Sequence, residues 1–82
     1  MENTVNENVQ EARTIKECLK QRGVEFRDVI VTDREVKILG SNSPLPRTRY
    51  FIMRSLSVAF DHCLKHADKT FTVTFKRSIS LD

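Results

Sequence analysis

The chain has 82 residues, of which 39% are hydrophobic and 30% charged, so its length excludes several domains and its composition excludes a disordered chain. The formal net charge of +3 comes from the second half, because residues 1–40 carry seven basic and eight acidic groups whereas residues 41–82 carry seven and three. No apolar run approaches the roughly 20 residues that cross a bilayer, and the polar N-terminus does not resemble a signal peptide. We therefore expect a single cytoplasmic domain over residues 1–82 that does not enter a membrane.

The first predicted element is an amphipathic helix from about residue 5 to about residue 22. Apolar side chains recur there at helical spacing, and charged residues fill the remaining positions. Thr4 followed by Glu7 fits a capping box, and Gly23 stands where a left-handed residue would end the helix. The apolar stripe consists of Val5, Val9, Ala12, Ile15, Cys18 and Leu19.

A β-hairpin is predicted next. The segments VEFRDVIVT and EVKILG are rich in β-branched residues, and the polar residues 32–35 offer a short connection between them. The continuous apolar run Val29, Ile30 and Val31 indicates a central strand that is covered on both faces.

The second predicted helix begins near Pro46 and continues to about Ala67. The segment SNSPLPR breaks the preceding strand, because proline favours extended geometry before it and the first turn of a following helix. Apolar residues then share one side over several turns, which makes this helix the expected centre of the core. They are Ile52, Met53, Leu56, Ala59, Phe60, Cys63, Leu64 and Ala67.

A long final strand is predicted over residues 69–81, where apolar and polar side chains alternate with a period of two. These elements predict an α+β fold in the order α-β-β-α-β, with a three-stranded antiparallel or mixed sheet and both helices packed on one face. This order resembles type II KH domains and the BolA-like fold. The KH resemblance implies nucleic-acid binding through a GxxG loop, but the chain has no glycine after Gly40, so no functional residue is carried over.

Catalytic chemistry finds little support in the sequence. Two glycines cannot build a Walker loop or a dinucleotide fingerprint, and Cys18 and Cys63 are explained as small apolar residues of helices. His62 and His66 have the i, i+4 spacing of helical metal ligands, but a third ligand is not identifiable. We expect no enzyme activity, no cofactor and no metal.

The first functional hypothesis is a module that works through protein contacts, as an adaptor, regulator or inhibitor of a larger complex. On the outer side of the second helix, Phe51 and Val58 are expected to be exposed, with Arg54 and His62 beside them. A homodimer is also expected, either through this helix or through the edge of the 69–81 strand. The alternative is that other parts of the chain cover these apolar groups.

The second hypothesis is nucleic-acid binding through the basic groups of the C-terminal half, with contacts mainly to phosphates. Stacking is not expected to contribute much, because Tyr50 is the only tyrosine and the sequence has no tryptophan. The same basic groups also suit an ordinary solvated surface. The candidate residues are Arg47, Arg49, Arg54, Lys65, Lys69, Lys76 and Arg77.

Overall fold

The structure is a computed structural model that describes residues 3–77, with side chains described from residue 7 onward. Its elements are α1 (Asn3–Gln21), β1 (Asp28–Val31), β2 (Glu35–Ser41), α2 (Thr48–Leu56), β3 (Val58–Lys65) and β4 (Phe71–Arg77). The strands form one antiparallel sheet in the order β1-β2-β4-β3. The α+β class is confirmed, but the sheet has four strands instead of three.

The first helix and the hairpin agree with the sequence predictions. After α1, Gly23 adopts a left-handed conformation with φ of 74°, and the Val24 N–H donates to the Leu19 carbonyl at 2.9 Å. The side chain of Thr4, the predicted cap, lies outside the described side chains. In the turn between β1 and β2, the Thr32 hydroxyl accepts hydrogen bonds from the N–H groups of Arg34 and Glu35.

The prediction of one long second helix from Pro46 to Ala67 is wrong, because α2 ends at Leu56 and a strand follows. Ser57 is left-handed, with φ of 56° and ψ of 47°, and this single residue turns the chain from helix into strand. A bulge in β3 at Asp61 then separates the core-facing residues Phe60 and Cys63 by three positions instead of two. Core residues of β3 therefore recur at intervals of both two and three residues, and this mixture resembles the period of a helix.

The extra strand also changes the place of the last one. β4 pairs with β2 on one side and with β3 on the other, so the segment Phe71–Arg77 is internal to the sheet. The predicted dimer through the edge of the 69–81 strand is therefore wrong for the described part of that strand, and residues 78–81 lie outside the description. The resemblance in element order to KH and BolA-like domains is lost as well, since the order is α-β-β-α-β-β.

The core lies between the sheet and the helices. Ile15 and Leu19 of α1 and Ile52 of α2 belong to one buried cluster with side chains of all four strands. The central strands contribute Val36, Ile38, Val73 and Phe75, all of which are fully buried. The Phe60 and Phe75 rings meet edge to face, with their centroids 6.0 Å apart.

The opposite side of the sheet, here called the open face, carries the residues that alternate with these core positions. Strand register places Ile30, Lys37, Thr74 and His62 in one row across it. Ile30 is 42% exposed, so the expectation that β1 is covered on both faces is wrong. Both cysteines are free and half-buried. Within residues 3–77, no helix is long and apolar enough to cross a membrane.

Candidate functional site

A cleft between the end of α1 and the outer side of α2 gathers arginines and aromatic rings. Its volume is about 500 Å³. We call it the arginine–aromatic cleft, and its lining residues are Arg22, Arg47, Tyr50, Phe51, Arg54 and Ser55. Cavities of this size hold a few side chains of a partner or a small ligand.

Two of the guanidinium groups lie over the two rings. The Arg22 guanidinium carbon is 4.8 Å from the centroid of Phe51, and that of Arg54 is 5.7 Å from the centroid of Tyr50. Stacking uses the flat side of a guanidinium and leaves the N–H groups at its edge free to donate. Both arginines keep their capacity to bind a carboxylate or a phosphate in bidentate fashion.

The cleft is electropositive. Among the described residues, none that lines it is acidic, and the side chains of Arg22, Arg47 and Arg54 form no ion pair or hydrogen bond. Three positive charges therefore converge on one cavity without a neutralising group. Such an arrangement favours an anionic ligand and raises its local concentration.

Secondary structure explains how these side chains come together. Arg22 follows the last turn of α1, where the helix dipole favours a cation. On α2, Arg47 precedes the helix, and Phe51 and Arg54 follow at intervals of four and three residues, which is the spacing of one helix face. Exposure of the rings is substantial, at 62% for Tyr50 and 44% for Phe51.

The predicted protein-contact site is only partly brought together. Phe51 and Arg54 lie in the cleft, and Phe51 is exposed as expected. Val58 was expected to be exposed but is 6% exposed, because it is the first residue of β3 and points into the core instead of continuing α2. His62 lies on the open face of the sheet, where its ring contacts the Asp61 carboxylate.

The seven predicted nucleic-acid contacts are also dispersed. Arg47 and Arg54 line the cleft, whereas Arg49 donates to the Pro44 carbonyl at 2.9 Å and covers the Phe60 ring. Arg77 bonds to Glu11 of α1 and to the Thr32 carbonyl.

The three lysines of the set lie elsewhere. Lys65 ends β3, Lys69 belongs to the connection between β3 and β4, and Lys76 belongs to the open face. The basic groups of the C-terminal half therefore do not form one continuous track.

Sequence reasoning missed Arg22 and underestimated Tyr50. Arg22 was assigned to the end of the first helix, and nothing in the local pattern indicates that this end lies against α2. The useful signal is in the sequence RYFIMR, residues 49–54, where the adjacent rings of Tyr50 and Phe51 are followed by Arg54; Arg49 instead covers Phe60. At helical spacing, such a segment places rings and guanidinium groups on the outer side together.

A second cleft, of about 530 Å³, lies at the end of the sheet near the β3–β4 connection. It includes Arg27, His66, Asp68 and Thr72, and the His66 ring is hydrogen-bonded to the Thr72 hydroxyl at 2.7 Å. Hydrogen bonds from the Thr70 hydroxyl and N–H lower the pKa of Asp68 below its ordinary value. This carboxylate stays ionised near neutral pH, so the second cleft has mixed charge.

The predicted helical spacing of His62 and His66 is wrong, since His62 lies in β3 and His66 follows that strand. Over residues 3–77, no three histidine, cysteine, aspartate or glutamate side chains form a group that could hold a metal ion.

Comparison with known proteins identifies no relative: no family model matches the chain, and no curated protein and no solved structure is significantly similar to it.

Proposed function

We propose that this protein is a non-enzymatic binding module whose arginine–aromatic cleft binds an acidic segment of a protein partner. The observation that carries the proposal is the convergence of Arg22, Arg47 and Arg54 around two exposed rings, without an acidic residue in the lining. A module of this kind would act as an adaptor, regulator or inhibitor of a larger complex.

The composition of the cleft suits a protein partner. Arginine and tyrosine are enriched among the residues that contribute most to protein binding, because each combines apolar area with directed hydrogen bonds. The partner's aspartate or glutamate side chains would accept bonds from the guanidinium edges, while an apolar side chain between them would cover Tyr50 and Phe51. The exposed rings would then lose their contact with water.

A second candidate function is the binding of a short nucleic-acid segment at the same cleft. The specific observation in its favour is the 62% exposure of the Tyr50 ring beside arginines, since an exposed ring can stack on a base while a guanidinium binds phosphate. We rank it second because extended nucleic acid needs a track of basic groups, and Lys65, Lys69 and Lys76 lie apart from the cleft.

The test is affinity purification from native lysate with three forms of the full chain. These are the unchanged protein, Arg54→Glu and, as matched control, Arg34→Glu, which makes the same charge change at an exposed position in the β1–β2 turn. That turn lies beside the start of α1, since Asn8 donates to Asp33 at 3.1 Å, and Arg22 is at the other end of the helix. Each sample is divided, treated with or without nuclease, and analysed by mass spectrometry.

We expect a protein partner that survives nuclease treatment, is retained by Arg34→Glu, and is depleted at least about tenfold by Arg54→Glu, which is a loss of about 1.4 kcal/mol. Capture that disappears after nuclease treatment would support the second candidate. If both variants retained the same partners as the unchanged protein, the cleft would have no part in binding and both proposals would fail.

A further inference from the structure

The open face is a second surface, on the side of the sheet that faces away from the helices. Its outermost strands each expose a large aliphatic side chain, Ile30 on β1 at 42% and Leu64 on β3 at 53%. Leu39 on β2 lies between them and is half-buried. The face thus has aliphatic groups on both sides of its centre, at positions that water reaches.

The centre of the open face is closely packed even though neither helix covers it. Thr74 is 1% exposed, and its hydroxyl has no hydrogen-bond partner among the described residues. Its neighbours in the row are Lys37 and His62. Because Thr74 is buried, adjacent side chains lie over it instead of extending into water. The side chains at the centre of the open face therefore pack against one another.

The charges of the open face balance. Lys37 and Lys76 are accompanied by Glu35, which is 3.5 Å from the Lys37 ammonium group, and by Asp61 beside His62. A chain with net charge +3 repels a second copy over most orientations, and the arginine–aromatic cleft would do so most strongly. Two open faces avoid this repulsion, because each presents both signs of charge to the other.

We propose that the open face is the contact surface between two copies of this chain, packed sheet against sheet. Four strands about 4.8 Å apart and about six residues long give a flat area of about 400 Å² per copy. Two such faces together amount to about 800 Å², which is below the roughly 1,200 Å² of stable specific interfaces, so the dimer is weak and reversible. A homodimer is therefore still proposed, but through the open face instead of through the strand edge or the second helix.

This arrangement leaves both arginine–aromatic clefts on the outside of the dimer. The cleft lies on the helix layer, and the open face is the other side of the sheet. A dimer could therefore engage two acidic segments at once, which increases the apparent affinity for a partner that carries several of them.

The experiment is sedimentation velocity on the full chain between about 10 μM and about 1 mM, a range in which weak, reversible protein dimers form. The test variant is Leu64→Lys, and the matched control is Val9→Lys on α1. The two replaced side chains are 53% and 52% exposed, so both changes convert an equally accessible aliphatic group to lysine. Ile30→Lys, at the other side of the open face, is a second test variant, and circular dichroism verifies that each variant is folded.

We expect the unchanged protein to shift from monomer to dimer over this range, and Val9→Lys to behave in the same way. Leu64→Lys and Ile30→Lys should each weaken dimerisation at least about tenfold. A strict monomer at the highest concentration would overturn the proposal. So would a dimer that survives both open-face variants, or one that Val9→Lys weakens equally. None of these results depends on the cleft, whose function is tested by Arg54→Glu.

Discussion

Gly40 offers a sharp test of how closely β2 is packed against the segment before β1. It lies where the pairing of β2 with β4 is irregular, and it has φ of 66°. A Cβ atom at this position would be 2.7 Å from the Cβ of Arg27 and 3.3 Å from the Arg27 nitrogen. Gly23 is a natural control, because its φ of 74° is similar but a Cβ there would meet nothing within 4 Å.

The expected magnitudes follow from this pair. A left-handed conformation costs an L-residue about 1–2 kcal/mol, and the loss of glycine's freedom in the unfolded chain returns about 0.4–1 kcal/mol. Gly23→Ala should therefore lower the free energy of unfolding by about 1 kcal/mol or less. At Gly40 the steric conflict adds about 1–3 kcal/mol, since both contacting atoms belong to or adjoin the backbone. Gly40→Ala should lower the free energy of unfolding by about 2–4 kcal/mol in total.

The assay is urea denaturation of the unchanged protein and both variants, followed by circular dichroism at neutral pH. The double variant with Arg27→Gly and Gly40→Ala lacks the opposing Cβ. Its loss of unfolding free energy should be smaller, by about 1 kcal/mol or more, than the sum of the losses of the two single variants. Equal destabilisation by Gly23→Ala and Gly40→Ala would refute the reasoning, because it would mean that φ alone matters and that Arg27 does not approach Gly40.

Two further changes test the turns. Ser57→Gly should raise the free energy of unfolding by about 0.5–1 kcal/mol, because φ of 56° strains serine but not glycine; a decrease in urea midpoint would contradict this. Asp68→Ala should lower the melting temperature at pH 7, because the pKa of Asp68 is depressed below 3.8 by its bonds from Thr70. A depressed pKa contributes stability that is present above pH 3.8 and is lost as pH falls through the folded value, so the difference between Asp68→Ala and the unchanged protein should narrow in stronger acid. A difference that stays constant down to about pH 2 would contradict that assignment.

The sequence predicted the elements whose periodicity is simple. In β4, Val73 and Phe75 are buried in the core and Lys76 is exposed, as alternation predicts, although Thr74 on the open face is buried as well. The first helix was also predicted, and Gly23 ends it in the left-handed conformation, although Val9 of the predicted apolar stripe is 52% exposed. In each case one local pattern determines both the type of element and the side that faces the core.

The second half of the chain was predicted less well because two local features act against the pattern. A left-handed glycine often marks the end of a helix, but α2 ends at Ser57, which adopts this conformation although serine rarely does. The sequence therefore carries no signal for the end of α2. The bulge at Asp61 then changes the period of β3. Residues 58–65 were predicted as helix instead of strand, and this one error had several consequences. The predicted sheet lacked a strand, β4 was expected at its edge, and Val58 was expected to be exposed.

The candidate site depended on tertiary contacts that the sequence does not encode locally. Phe51 and Arg54 were recognised because they share the outer side of one helix. Arg22 joins them only because the end of α1 lies against α2, and that approach is determined by the common core beneath both helices.

The strand order has a consequence for how the molecule assembles. The chain consists of two successive α-β-β units, each with a hairpin that closes locally, and the units meet where β2 pairs with β4. That pairing joins Glu35 to Lys76, so it requires a long loop to close and should be the slow step of folding. Arg22 and Arg54 come from different units, as do Ile30 and Leu64. Neither surface is complete in an isolated unit, so the cleft and the open face both form only after the two units have paired.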